Sequence, residues 1–175
     1  MANKINIHRM TNAHIIVNGN SMLGRASNID LPVIKATLSE HDAMGLLGKL
    51  DYASGIDKMI CKIQWNAFYK EVLQSIGNPY QAISLQLRSN VEVYEQQTRI
   101  KQIPYVAYIR GIHNDFPMGS FKTNDNVTIE SNMSISAARL EYDGEELYNI
   151  DIEANIWRVN GVDLLAQYRA NLGID

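Results

Sequence analysis

The sequence predicts a mainly β protein, an antiparallel sandwich or barrel with one inserted helix and one C-terminal helix. Three observations lead to this fold class. Apolar and polar residues alternate with a period of two through most of the chain. The dipeptides Asn18-Gly19 and Asp143-Gly144 are suited to tight hairpin turns. Only two segments have helical spacing, and 175 residues suit a single domain over 1–175.

The predicted strands follow this alternation along the chain. A first hairpin joins residues 13–17 to residues 22–31 through Asn18-Gly19. Further alternating runs cover residues 59–65, 83–87, 103–109 and 127–135. After Asp143-Gly144, a last run extends over residues 148–156. Each run is half apolar, as expected of strands with one face on a core.

Two helices interrupt the strands. Asn66 can cap a helix over residues 67–76, which Gly77 then ends. The second helix has Asp163 in its first turn, where a negative charge suits the helix dipole, and Gly173 after its end. Its apolar stripe consists of Leu164, Leu165, Tyr168 and Leu172.

A long segment at about residues 38–57 is the one extended stretch that we interpret as irregular. Such loops are usually functional or flexible, and an apolar one needs a surface to cover it, such as a neighbouring subunit. We therefore interpret the segment as an interaction loop. Its candidate contact residues are Ala43, Met44, Gly45, Leu46, Leu47, Gly48 and Leu50.

The charge is unevenly distributed. The net charge is −3, but residues 1–88 sum to +3 and residues 89–175 sum to −6. Seven acids against one base lie between Glu130 and Glu153. No basic stripe is present, which argues against a protein that holds nucleic acid through its phosphates.

No catalytic, metal or cofactor site is expected from the residues. The single cysteine, Cys61, and four scattered histidines form no ligand motif. Asp151 and Glu153 are spaced to share a strand face, as a glycosidase pair would, but polar neighbours favour a solvated face. No apolar run is long enough to span a membrane, so membrane insertion is not expected.

The C-terminal residues resemble the closing helix of contractile-tail tube proteins, those of P2-like phages and R-type pyocins. The motif residues are Gly161, Val162, Asp163, Leu165, Arg169, Leu172 and Gly173. Other landmarks agree in order: Leu31-Pro32, Ile109-Arg110-Gly111 and the Asp143-Gly144 hairpin. The loop at residues 41–46 departs from the family's Tyr and Gly-Gly-Met pattern, so the family's contacts there are not carried over.

This resemblance implies a structural protein without enzymatic activity or cofactor. Six copies would form a ring whose strands join into one barrel, and rings would stack into a tube inside a contractile sheath. Its partners would be copies of itself, the sheath protein, the baseplate and tail terminator proteins and the tape measure protein. The tube would belong to a virion assembled in the bacterial cytoplasm, and DNA would pass through without specific binding.

Two site hypotheses follow, with alternatives. Polar residues of the acidic half would face the lumen and repel phosphates, unless they face outward or pair across subunits. These residues are Glu130, Asn132, Asn149, Asp151, Glu153 and Asn155. The interaction loop would join ring to ring. The alternatives are the tube of a pyocin-like or type VI-like injection particle and, from another class, a soluble β-sandwich binding module.

Overall fold

The computed structural model describes residues 5–119, 123 and 127–174 of the chain. This part is mainly antiparallel β with one inserted and one C-terminal helix, which confirms the predicted fold class. In chain order its elements are β1 (Asn6–Val17), β2 (Asn20–Ser21), β3 (Ala26–Asp30), β4 (Ala36–His41), β5 (Leu50–Ile56), β6 (Met59–Trp65), α1 (Lys70–Ile76), β7 (Ile83–Glu95), β8 (Thr98–His113), β9 (Ile129–Tyr142), β10 (Glu145–Asp151), β11 (Ile156–Val159), β12 (Val162–Asp163) and α2 (Ala166–Leu172).

Both predicted hairpin turns are present. Asn18 and Gly19 have φ angles of 47° and 82°, and Asp143 and Gly144 have 54° and 83°. Positive φ at both central residues is the geometry that matches the twist of a two-residue hairpin. Gln96-Gln97 makes the same kind of turn between β7 and β8, with φ of 47° and 67°. That turn was not predicted, because neither residue is a typical left-handed former.

The prediction that residues 22–31 form a strand paired with β1 is wrong. The strand that returns along β1 is only Asn20–Ser21. Met22 then turns inward and is 5% exposed, and Gly24 has a φ of 73°. The chain thereby crosses to β3, which pairs with β6 and not with β1.

The predicted strand over residues 148–156 is two strands. β10 ends at Asp151, and β11 pairs back on it in antiparallel register from Ile156. The reversal is set locally: the Asp151 carboxylate accepts the Ala154 N–H at 3.0 Å, and Asn155 has a φ of 50°. Asp and Asn favour such turns because their side chains bond the nearby backbone.

The segment at residues 38–57 is largely regular, contrary to the sequence interpretation. β4 and β5 form a two-stranded antiparallel sheet of their own, separate from the larger sheet. Only residues 42–49 between them are irregular. Alternation did not reveal these strands because neither face is buried against the core, so no apolar pattern is required.

The larger sheet follows the order β12-β11-β10-β9-β8-β7-β1-β2, with β6 and β3 branching from β9. β9 pairs with β6 up to Ile135 and with β10 from Ala137, so Ser136 marks the branch. Buried residues of β6, β7, β8, β9 and α1 belong to one core cluster. The sheet therefore bends around this core, and in the described residues its path remains open at β12 and β2.

Both helices are shorter than predicted. α1 begins at Lys70 and has no side-chain cap, since the Asn66 amide instead donates to the Gly24 carbonyl oxygen at 2.9 Å. α1 contributes Val72 and Ile76 to the core. α2 begins at Ala166, so Asp163 precedes the helix and is not part of its first turn.

Candidate functional site

Two side chains with reactive chemistry, Cys61 and His113, are buried. Cys61 is fully buried, and burial raises the pKa of its thiol to about 12. Burial lowers the pKa of His113 to about 4, which keeps its imidazole neutral near pH 7. No group of three or more His, Cys, Asp or Glu suited to a metal ion occurs in the described part of the chain. None of the helices described there is long and apolar enough to cross a membrane.

Four of the six predicted lumen residues share one face of the larger sheet. Glu130 and Asn132 alternate on β9 with Ile129, Ser131 and Met133, which are buried toward the core. Ser136 of β9 has no partner on β8 and forms a bulge. The residues of β9 that face outward are therefore even-numbered before Ser136 and odd-numbered after it. Beyond this bulge, Asn149 and Asp151 on β10 lie opposite Arg139 and Ala137 of the outward face.

The two remaining lumen candidates do not belong to that face. Glu153 and Asn155 lie in the reverse turn between β10 and β11. The expectation that Asp151 and Glu153 share a strand face is therefore wrong, because the strand ends at Asp151. The Asn155 carbonyl oxygen accepts a hydrogen bond from the Arg169 guanidinium at 2.9 Å.

Arginines lie among the acids of this outward face. They are Arg88, Arg110, Arg139 and Arg158. Arg139 is opposite Asn149, pairs with Glu141 at 2.9 Å and lies over the Tyr108 ring at 4.3 Å. The face is thus of mixed charge and is not purely acidic. Sequence reasoning missed the arginines because it followed the acidic half of the chain and not the strand pairings.

The interaction loop is the tip of the β4–β5 hairpin. Met44 and Leu47 are fully exposed, and Leu46 and Leu50 are each 46% exposed. Lys49 and Glu40 pair at 2.6 Å across the hairpin end. Ala43, Gly45 and Gly48 complete an exposed tip. The predicted residues are therefore together at the end of a projecting hairpin, with apolar side chains in solvent.

The C-terminal motif residues form a clamp before α2. Gly161 completes the turn between β11 and β12, with a φ of 78°. The Asp163 carboxylate accepts the Leu165 N–H at 3.1 Å and pairs with Arg169 at 2.8 Å. The hydrogen bond from Arg169 lowers the pKa of Asp163. Gly173 ends the helix in the left-handed conformation. The spacing of the motif is thus explained by a carboxylate that links the strand end to the helix.

The clamp presents an apolar helix face to solvent. Leu164, Tyr168 and Leu172 are 56%, 52% and 55% exposed, and no residue of α2 is buried. A groove of about 570 Å³ extends between α2, β10–β11 and the base of β5. Apolar surface of this kind usually marks an interaction site.

Uncovered apolar side chains on the hairpin, the first strand and the last helix of a mainly β fold are typical of a protein that binds partners through these surfaces. The chain belongs to the phage tail tube protein FII family, whose profile matches residues 7–173. It is therefore a phage tail structural protein, a virion component. The resemblance seen in the C-terminal motif is confirmed.

The chain is also similar to individual proteins. The chain is 24% identical over 165 residues to the tail tube protein of Escherichia phage P2, with 92% of this chain and 94% of that protein covered. Among solved structures, a chain of the anti-feeding prophage baseplate, determined by cryo-electron microscopy with 6-fold symmetry, is similar at 12% identity. That similarity has a TM-score of 0.42 and covers 74% of this chain and 90% of the other.

Proposed function

We propose that this chain is the repeating subunit of the inner tube of a contractile phage tail. Six copies close into a ring, rings stack into a tube, and DNA leaves through the lumen without specific binding. The sheath protein surrounds the tube, the baseplate and terminator proteins lie at its ends, and the tape measure protein is a further partner. Family membership supports the assignment to a tail tube. The uncovered β4–β5 hairpin is the structural observation that best supports assembly of copies.

The hairpin supports assembly because the chain itself does not provide the packing that usually stabilises a two-stranded sheet. A two-stranded sheet in water is at best marginally stable without packing against other elements. In β4 and β5 every residue except Ile56 is exposed, including Leu38 and Tyr52 at 57% and 56%. A second copy in the next ring would cover these side chains. We therefore assign Met44, Leu46, Leu47 and Leu50 to the contact between rings.

The outward face of the larger sheet suits a lumen that does not hold DNA. Asp151 lies two strands away from Arg110, and Glu141 lies two strands away from Arg88. In each case one uncharged residue lies between the two charges. Strands are about 4.8 Å apart, so the backbones that carry these opposite charges are about 10 Å from each other, and Arg139 and Glu141 pair directly at 2.9 Å. A passing phosphate would meet attraction and repulsion within one Debye length, about 10 Å at 0.1 M salt. Glu130, Asn132, Asn149 and Asp151 are the proposed lumen residues.

Electron microscopy of the purified chain tests the proposal. Hexameric rings or tubes support it, whereas a stable monomer at all concentrations contradicts it and favours a β-sandwich binding module. Particles isolated from the source distinguish the related readings. A DNA-filled capsid attached to the tube indicates a phage, and tubes without a capsid indicate a pyocin-like or type VI-like particle.

Thiol labelling tests the lumen residues. Cys61 is buried, so a cysteine introduced as Asp151→Cys or Glu130→Cys is the reactive one. A small maleimide should label both variants in monomers and in tubes. A maleimide on a large polymer should label monomers but lose that reaction in tubes. Equal labelling of tubes and monomers by the large reagent would place these residues outside the lumen.

A further inference from the structure

Two asparagine–glycine pairs occur in the sequence, Asn18-Gly19 and Asn160-Gly161. Both form two-residue turns with positive φ, 47° and 82° in the first pair and 49° and 78° in the second. Both asparagines are exposed. Asparagine is a thermally labile residue, and a following glycine has no side chain to obstruct its own backbone nitrogen. The two turns therefore share the same local chemistry and differ in what surrounds them.

The Asn18 turn is fixed to the neighbouring strand. The Asn18 carboxamide oxygen accepts a hydrogen bond from the Ser84 N–H at 2.9 Å. The Asn18 backbone N–H donates to the Ser84 carbonyl oxygen at 2.8 Å. β1 remains paired with β7 as far as Val17, directly before the turn. Both the side chain and the backbone of Asn18 are therefore held in place by β7.

The Asn160 turn is held less firmly. It joins β11 to β12 at the end of the larger sheet, and the register of these two strands consists of two residue pairs. The Asn160 backbone N–H donates to the Leu147 carbonyl oxygen at 3.0 Å, but within the described part of the chain its carboxamide has no hydrogen-bond partner. Nothing lies within 4 Å of the position that a Cβ on Gly161 would take. A short hairpin at the end of a sheet opens more easily than a turn between long paired strands.

We propose that Asn160 is a site of spontaneous deamidation and that Asn18 is protected from it. When the turn opens, the Gly161 backbone nitrogen attacks the side-chain carbonyl carbon of Asn160. A carbon–nitrogen bond forms between them, the bond to the side-chain amide nitrogen breaks, and that nitrogen leaves as ammonia with the proton from Gly161. Water then opens the cyclic imide at either carbonyl, which leaves residue 160 as aspartate or as isoaspartate. This modification does not depend on the tube function.

The two products differ in their effect on the end of the sheet. Aspartate leaves the backbone unchanged and accepts positive φ much as asparagine does. Isoaspartate carries the chain through its side-chain carbon, which adds one atom to the backbone between β11 and β12. Asp163, which anchors α2 through Arg169, would then no longer lie opposite Arg158. Isoaspartate should therefore loosen α2, and aspartate should not.

Incubation of the purified protein in mildly alkaline buffer, followed by peptide mapping with mass spectrometry, tests the site. Folded protein and urea-unfolded protein are compared over the same period. In the unfolded chain both asparagines should convert at similar rates. In the folded protein we expect conversion at Asn160 to be about tenfold faster than at Asn18, which corresponds to about 1.4 kcal/mol of protection from the hydrogen bonds to Ser84.

Asn160→Gln is the matched control, because glutamine would have to close a larger ring, which forms much more slowly. Gln96 and Gln97 occupy a turn of the same kind with φ of 47° and 67°, so the substitution should be accommodated. It should abolish conversion at position 160 and leave conversion at Asn18 unchanged. Asn160→Asp represents the product that has the normal backbone.

Limited proteolysis of α2 separates the two products. The isoaspartate content of aged protein is measured by labelling with protein isoaspartate methyltransferase. We expect cleavage in α2 to become faster in proportion to this content. Asn160→Asp should be cleaved at the rate of unaged wild-type protein.

The outcomes that overturn the proposal are distinct. Equal conversion of the two asparagines in the folded protein, or faster conversion of Asn18, overturns the assignment of the site. A folded protein in which Asn160 remains unmodified overturns it as well, whatever happens in urea. Aged protein that contains no isoaspartate, or whose α2 is as protected as before, overturns the effect on the helix. None of these results changes the proposed tube function, which electron microscopy tests separately.

Discussion

Gly111 lies where the register of β8 against β9 shifts, and replacing it tests how closely these strands approach. A Cβ at this position would lie 2.1 Å from the Ser134 carbonyl oxygen and 3.0 Å from the Ile135 Cα. Both atoms belong to the backbone of β9, so no side-chain rotation relieves the overlap. Non-bonded carbon atoms pack at about 3.5–4.0 Å, so the strands would have to separate by about 1 Å.

We expect Gly111→Ala to lower the free energy of unfolding by about 3 kcal/mol, the upper part of the range for overpacked sites. For a chain of this length the melting temperature should fall by roughly 6–12 °C. Urea unfolding of the monomer, followed by tryptophan fluorescence and circular dichroism, measures the change. Gly55→Ala is the matched control, because nothing lies within 4 Å of a Cβ there and no positive φ is required. A loss below about 0.5 kcal/mol for Gly111→Ala, equal to the control, would refute the close approach.

Three further predictions concern buried and clamped groups. Ser131→Ala should cost about 1–3 kcal/mol in urea unfolding, because the buried Trp65 indole N–H loses its acceptor at 3.0 Å; an unchanged midpoint would contradict this. Arg169→Gln should release α2 from Asp163 and increase its proteolysis while the core unfolds as before; protection equal to wild type would argue against the clamp. His113 should make the protein less stable as pH falls from 6.5 to about 4, since the unfolded state binds the extra proton, and His113→Leu should flatten this slope. Equal slopes in the two proteins would exclude His113 as the cause.

The sign of the His113 effect depends on its surroundings. Its folded pKa lies below the ordinary value of 6.5 because burial outweighs the attraction of Asp115, which raises the pKa. The stability is therefore present above pH 6.5 and is lost toward pH 4. The carboxyls whose pKa values are lowered by hydrogen bonds, Glu71, Glu92 and Asp163, titrate below their ordinary values of 4.5, 4.5 and 3.8. Their contribution is lost at lower pH, so the upper part of this window reports on His113.

The sequence predicted those parts of the fold that local chemistry decides. Asn18-Gly19 and Asp143-Gly144 form hairpins because their residues accept positive φ, whatever the rest of the chain does. The runs at residues 59–65 and 83–87 were recognised because one face of each strand is buried. Where neither face is buried, as in β4 and β5, no alternation is imposed and the strands were interpreted as an irregular loop.

The differences from the prediction arise where a side chain bonds the backbone or where the strand register shifts. Apolar and polar residues alternate over residues 148–156, as in a single strand. The Asp151 carboxylate nevertheless accepts a hydrogen bond from the Ala154 N–H, and the chain reverses there. Asn66 is a residue type that often caps helices, but its side-chain amide donates a hydrogen bond to the Gly24 carbonyl oxygen on another loop. Which residues of β9 face outward depends on the bulge at Ser136. This bulge exchanges the two faces of the strand and has no sequence signature of its own.

The uneven charge of the chain does not persist as a division in space. β6, from the basic N-terminal part, pairs directly with β9 from the acidic part and places Lys62 opposite Asn132. The two kinds of charge are therefore mixed on one sheet. If rings stack through the apolar side chains of the β4–β5 hairpin, tubes should not dissociate as ionic strength rises, because salt screens charges and does not weaken apolar contacts. Sedimentation of wild-type assemblies over a salt series measures this; tubes that dissociate at high salt would contradict the assignment of apolar contacts to the ring-to-ring interface.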